Sequence, residues 1–336
     1  MDGARRNPED PVIRVVCISD THNAHDRLPP LPKGDILIHA GDLTNTGTEL
    51  EVRKAVHWLD RAPHRYKVFI AGNHDTALAN PVTRAAILAD YPDVIYLEDN
   101  SVMLEPVAGR LVTLYGTPRT PRRGPRGRGV FQYWHREERW MRAIPTRTDI
   151  LVTHGPPQHH RDVAGLGCNR LRYELWRVRP RLHVFGHVHA GRGVERATWL
   201  PVQDMYEALC RRREGYGWRA VLKIVFAALL RVVAPTHDTH FRRTGYRGES
   251  LLVNASSMTG WARDADMQEP IVVELALPAL MEKARQSNSR MRNFQRKGNL
   301  YSPKESWMPQ LSSSASALSA QHSRDIELRA TSINTE

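Results

Sequence analysis

Leu182-His183-Val184-Phe185-Gly186-His187-Val188-His189 is an apolar run that stops at two imidazoles one residue apart. Such a run reads as a buried β-strand, and residues just past its end can both face a crevice at the sheet edge. Alone, a His-x-His on a loop is usually just solvated. The same pattern recurs elsewhere in the chain. Residues 12–19 run into Asp20-Thr21-His22, and residues 35–40 into Gly41-Asp42. Residues 67–71 run into Gly72-Asn73-His74-Asp75, and residues 149–153 into His154-Gly155-Pro156-Pro157. Apolar runs that all end at Asp, Asn or His predict an α/β sheet with its site outside the carboxyl ends of the strands.

Outward from those runs, Thr48-Glu49-Leu50-Glu51 is a capping box that opens a helix to about Arg61. Pro81 suits the first turn of a helix reaching Asp90. Strands are predicted at 94–97, 102–105 and 110–115, and helices at 131–144 and 169–178. Further strands are predicted at 251–253 and 271–275. Strand–helix alternation giving way to successive strands predicts a mixed sheet. Residues 1–11 read as a disordered polar leader, 12–281 as one domain, and 197–248 as an insertion in it. From about Glu282 apolar periodicity stops and Ser, Asn, Gln and Arg dominate, so 282–336 reads as a disordered tail.

The chain has 336 residues and a net charge of +12, which suits an anionic partner and says nothing about fold. Its three cysteines, Cys17, Cys168 and Cys210, are scattered. That excludes a thiolate zinc site and fits a reducing compartment, cytoplasmic or nuclear. No secretory h-region is apparent at the N-terminus.

Phosphate-ester hydrolysis needs a nucleophile potent at neutral pH, neutralised phosphoryl oxygens and help for the leaving group. Two cations about 3.5–4 Å apart supply the first two by sharing a hydroxide. Asp20, His22, Asp42, Asn73, His154, His187 and His189 offer the oxygen and nitrogen donors, a set suited to Mn, Fe or Zn. In order, the motifs Asp-Thr-His, Gly-Asp, Gly-Asn-His-Asp, Thr-His-Gly and Gly-His-Val-His resemble the five blocks of the calcineurin-like metallophosphoesterases. Ile18–Asn23, Ala40–Thr44, Tyr115–Pro118, Thr153–Pro157 and Val253–Ser256 are similar to its metallophosphoesterase-domain-containing (MPPED) branch.

The resemblance implies an α/β fold, a four-layer αββα sandwich of two mixed β-sheets. It implies that Asp20, His22, Asp42 and His189 hold one divalent ion, with manganese first in line. Asp42 would bridge to a second ion held by Asn73, His154 and His187. His74 would be the general acid, its ring oriented by Asp75. The implied activity is hydrolysis of a small phosphodiester, such as a cyclic nucleotide. The protein Ser/Thr phosphatase branch is disfavoured, because Asp42 is followed by Leu-Thr and His74 by Asp75.

Residues 117–129 form a Pro/Gly/Arg loop, in which Arg119 is the best candidate for a substrate contact. Asn254 ends a strand and touches substrate, orders the His187 loop or simply makes a turn there. His159 and His160 read as rim residues, and His39 as a core or supporting residue. Residues 218–233 form an amphipathic helix roughly 24 Å long carrying three cations, too short and too charged to span a membrane. It either packs on the domain or a second subunit, the favoured reading, or lies on an anionic membrane surface. Neighbouring Arg211–Arg213 would add to such attraction, and Cys210 is a conceivable acylation site. The other readings are a non-catalytic scaffold recruited through the basic helix and tail, and a nucleic-acid binder. The complete donor set argues against the first, and the lack of a recognition motif against the second.

Overall fold

Alternation along the first strand, Val12–Ile18 (β1), sets the layering. Ile13, Val15 and Cys17 enter one hydrophobic cluster, and Val16 and Ile18 enter another. Successive side chains leave a strand on opposite faces, so β1 is covered on both sides. The structure, a computed structural model, describes residues 10–122, 129–134, 140, 142–163, 165–200, 203, 207, 248–258 and 266–277. The chain divides after Ala279, and every described element lies in the first unit.

After β1 come Ile36–His39 (β2), helix Glu49–Asp60 (α1), Tyr66–Phe69 (β3), helix Pro81–Ala89 (α2) and Val94–Tyr96 (β4). Asn100–Val107 (β5), Arg110–Thr117 (β6), Thr120–Pro121 (β7), Gln132–Tyr133 (β8) and Ile150–Thr153 (β9) follow. Helix Asn169–Val178 (α3) precedes Leu182–Phe185 (β10), Gly193–Thr198 (β11), Glu249–Asn254 (β12) and Ile271–Ala276 (β13). One sheet has the order β13-β1-β2-β3-β4 and the other β11-β12-β10-β9-β6-β5; β7 and β8 pair separately. Both sheets are mixed: β13, β11 and β5 are antiparallel to their neighbours, and the interior pairs are parallel.

The first cluster joins β1, β2 and β3 to Leu114, Ile150, Val152, Leu182 and Val184 of the second sheet, so the sheets pack face to face. Val52, Val56 and Leu59 of α1 and Ile87 of α2 cover the outer face of the first sheet. Leu171, Leu175 and Val178 of α3 cover the outer face of the second, against Leu151 and Phe185. The layers are therefore helix, sheet, sheet, helix, as the resemblance implies. Fully burying each such aliphatic side chain contributes roughly 1.5–3 kcal/mol.

The helices start where their caps predict. The Thr48 hydroxyl accepts from the Glu51 amide while Glu51 accepts from the Thr48 amide, and Asn80 caps α2 ahead of Pro81. Three expectations need correction. Gln132–Tyr133 is a strand, so no helix begins at Phe131; 135–139 and 141 lie outside the described residues. The insertion starts later than residue 197, because Gly193–Thr198 pairs antiparallel with β12 and Trp199 is buried with its Nε1 donating to Ser250. Pro11 is not leader, since its carbonyl accepts from the Leu277 amide. Residues 1–9, the helix at 218–233 with Cys210 and Arg211–Arg213, and the tail 282–336 lie outside the described residues. Among the described residues no helix is long and apolar enough to cross a membrane.

Candidate metal centre

The parallel strands β1, β2, β3, β9 and β10 bring their carboxyl ends to one edge, where the two sheets meet. Asp20 and His22 follow β1, Asp42 follows β2, Asn73 follows β3, His154 follows β9, and His187 and His189 follow β10. Backbone bonds continue past the strand ends. The amides of Asp20, His22 and Asn23 donate to the carbonyls of Gly41, Asp42 and Leu43. Across the seam, Ser257 N donates to Ser19 O at 2.7 Å.

This lacing holds Asp20, His22, Asp42 and His187 in the left-handed region, with φ of 53°, 43°, 53° and 65°. Non-glycine residues there are held against a local cost, and such residues cluster at functional sites. Two glycines allow the close packing. A Cβ at Gly72 would collide with the Asp42 amide and carboxylate, and one at Gly186 with the Asp20 carboxylate and Ser19 hydroxyl.

Two donor groups result. Asp20, His22 and His189 offer ligand atoms within 4.8 Å of one another, and Asp42, His154 and His187 do the same. Asp42 Oδ2 lies between the two sets, 3.2 Å from His154 Nε2 and 3.8 Å from His22 Nε2. Asn73 Oδ1 is 3.2 Å from His154 Nε2, which places the carboxamide in the second group. Asp20 accepts two bonds from the His187 amide at 3.0 Å and one from Ser256 Oγ at 2.8 Å, and its Oδ1 lies 3.4 Å from His189 Nε2.

Carbonyls fix the ring tautomers. His154 Nδ1 donates to Ala40 O at 2.9 Å and His22 Nδ1 to Thr44 O at 3.1 Å, which turns each Nε2 toward the carboxylates. Backbone carbonyls that set a ligating histidine in this way are the usual outer partners of metal sites. The electrostatics agree. Burial opposes ionisation of Asp42, yet the His154 and His22 rings hold its carboxyl below the ordinary range. Asp20 is likewise held low, against burial, by His189, His154 and His22. Burial works against a charged His154, but Asp42 and Asp20 raise it to about 9. Positive charge is thus favoured between these groups, and the donors are hard oxygens and imidazole nitrogens. The residues fit a pair of divalent ions.

His74 is half-buried beside this centre, its ring centroid 5.0 Å from that of His22. Its Nδ1 donates to Asn45 O at 2.8 Å, so Nε2 is the ring nitrogen not engaged by that carbonyl. Asp75 does not orient that ring. Its buried carboxylate accepts from the amides of Gly72, Leu43 and Thr44 and from Thr44 Oγ1, pinning the loop after β3 to the loop after β2. Burial and nearby Asp42 raise it to about 6 against those bonds.

The substrate-contact expectations change too. Asn254 is fully buried; its amide donates to Val188 O at 2.8 Å and to Arg161 O at 3.3 Å, so it orders the His187–His189 turn. The Arg119 guanidinium is engaged by Asp99 through Nε at 2.7 Å and Nη2 at 2.6 Å. The loop it opens stays close to the centre at both ends. Thr120 packs on Gly155, and the Val130 amide donates to Asn73 O at 3.0 Å. Arg122 stacks on Trp134 at 4.7 Å, while Arg123, Arg126 and Arg128 lie outside the described residues. Ser256 was not singled out in the sequence, although the Val-Asn-Ala-Ser end of β12 was the signal that could have found it. His39 plays the supporting part expected of it, bonding Thr21 Oγ1 at 3.0 Å.

An αββα sandwich whose strand ends converge on two donor sets joined by one aspartate defines a class of protein built to hold two cations. The sequence profile of the calcineurin-like phosphoesterases matches residues 13–191, and the chain belongs to that family. Metallophosphoesterase domain-containing protein 1 of Homo sapiens is 36% identical over 214 residues, 54% of this chain and 62% of that one. A UPF0046 protein of Caenorhabditis elegans is 35% identical over 204 residues, 55% of this chain and 66% of that one. A probable rhamnogalacturonate lyase C of Emericella nidulans is 41% identical over 277 residues, 81% of this chain. This chain spans a quarter of that protein's length.

Proposed function

We propose that this chain is a phosphodiesterase dependent on two divalent ions, manganese first among them, acting on a small diester such as a cyclic nucleotide. The observation that carries the reading is the Asp42 carboxylate shared between an imidazole of each donor set. Asp20, His22, Asp42 and His189 would hold one ion, and Asp42, Asn73, His154 and His187 the other. A bound pair supplies an acidified water and neutralises phosphoryl oxygens. The chain's own residues do the rest. His74 protonates the departing oxygen from Nε2, with Asn45 O holding its other nitrogen. Asp75 holds the loops that place His74 and Asp42 side by side.

A diester is favoured because Arg119, two residues past β6, is already neutralised by Asp99. A doubly charged monoester would demand more free positive charge than a singly charged diester. A cytoplasmic location belongs to the same proposal, supported by the free buried thiols of Cys17 and Cys168. Peripheral contact of 218–233 with anionic membrane is supported by sequence alone. Vesicles containing phosphatidylserine would test it, and a full chain that stays in solution with them removes it.

The deciding experiment is hydrolysis of bis-p-nitrophenyl phosphate against p-nitrophenyl phosphate. Metal-stripped protein is restored with Mn, Fe, Zn or Mg. Metal-dependent turnover that favours the diester is expected. Two bound ions per chain without turnover on any ester would shift the reading to a scaffold.

A further inference from the structure

His160 is fully buried, not a rim residue, and both of its ring nitrogens face carboxylates. Nδ1 lies 2.8 Å from Glu195 Oε1 on β11, and Nε2 lies 3.3 Å from Glu207 Oε1. Glu207 is itself fully buried and is held by Arg172 Nη1 and by Trp176 Nε1 at 2.9 Å, both on α3. The residues flanking His160 are in the left-handed region: His159 at φ 73° and Arg161 at φ 51°, with Val163 at 45° beyond. Such a run persists only where its surroundings over-determine it.

What this loop does is visible at Arg161. Its carbonyl accepts from Asn254 Nδ2 and presses so closely on Gly191 that no Cβ would fit there. The same Asn254 amide holds Val188 O, between His187 and His189. Gly191 N in turn donates to Val188 O at 2.9 Å, closing the short 3-10 turn His189–Gly191.

We propose that His160, clamped between Glu195 and Glu207, is a positioning residue for the metal centre. It locks the Arg161 carbonyl against Asn254 and Gly191 and so fixes the turn that carries His187 and His189. The inference rests on the metal reading of that turn.

The test compares the full-length parent, His160→Ala and Glu195→Gln after metal stripping. Mn2+ is titrated calorimetrically, and amide hydrogen exchange is followed in the metal-free protein. His160→Ala should weaken Mn2+ binding about tenfold, the scale for an outer partner of a metal ligand. It should also speed exchange at Gly191 and Arg192 while leaving the amides of α1 at parental rates. Glu195→Gln removes the charge from one arm of the clamp at a partly exposed position, and should shift both readouts the same way by less. Parental affinity and exchange in the variants would overturn the proposal, as would acceleration spread evenly over the domain. Should His160→Ala fail to fold, Glu195→Gln decides by the same two readouts. A parent that binds no Mn2+ defeats the metal reading, while the exchange rates still judge the clamp.

Discussion

Asp42 Oδ2 lies 3.2 Å from His154 Nε2, and the opposite nitrogen of that ring is anchored on the carbonyl of Ala40, two residues before Asp42. The two sheets are thereby joined through a single imidazole at the point where the two donor sets meet. Substituting Asp42→Asn keeps the shape but removes the shared charge. Bound metal should fall from two ions per chain to one or none by elemental analysis. Activity should drop by more than the ~100-fold that loss of an outer partner costs.

The proposed acid role of His74 separates it from the residues that would hold the cations. His74→Ala should keep both ions and lower kcat by about 10²–10⁴ on a diester with a poor leaving group. With p-nitrophenolate departing, the loss should be much smaller. Equal losses on both substrates would remove the acid assignment.

Ser256 bonds the Asp20 carboxylate, and Asn254 bonds the carbonyls of Val188 and Arg161. Ser256→Ala takes one donor from Asp20, and Asn254→Ala frees Val188 O. Each should weaken metal affinity about 10–100-fold with little change in KM at saturating metal. A selective rise in KM would instead restore Asn254 to substrate contact.

The donor residues could be read from sequence because each sits within four residues of an apolar strand end, where local pattern and site coincide. Their supports could not. Asp75 is adjacent to His74 in sequence, yet tertiary packing turns it toward Leu43 and Thr44, some thirty residues away. His160 follows a Pro-Pro turn and looks solvated until Glu207 and Glu195 are brought around it. Strand β11 was missed because Gly-Val-Glu-Arg-Ala-Thr is an edge strand with little apolar alternation. The residues from Phe131 onward carry aromatic side chains at a helix-like spacing, but the backbone at Gln132–Tyr133 pairs with β7 instead.

Stability should vary with pH on two limbs. Burial opposes a charged His160, but Glu195 and Glu207 raise it from 6.5 to about 9. Its contribution is full below 6.5 and is lost as pH rises through 9. Burial opposes an ionised Glu207, but His160, Trp176 and Arg172 lower it from 4.5 to about 2. That contribution is full above 4.5 and is lost as pH falls through 2. Thermal melts of metal-free protein should therefore decline between pH 6.5 and 9 and again below 4.5. Glu195→Gln should flatten the alkaline limb; an unchanged slope would show that the Glu195–His160 pair contributes nothing to it.

Saturating metal should raise the melting temperature. Free Mn2+ at 100 times its Kd adds about 2.7 kcal/mol per site if the unfolded chain binds none. A chelator should reverse the gain.

The left-handed backbones of Asp20, His22, Asp42 and His187 bear on how this chain responds to selection. Each is held at a cost on the order of 1–3 kcal/mol, which glycine at the same place would relieve. A lineage selected only for a sturdy fold would therefore drift toward glycine at these four positions, since stability and the ability to hold cations pull in opposite directions there. Holding four donor side chains in that conformation thus sets the stability of the fold against the capacity of the site.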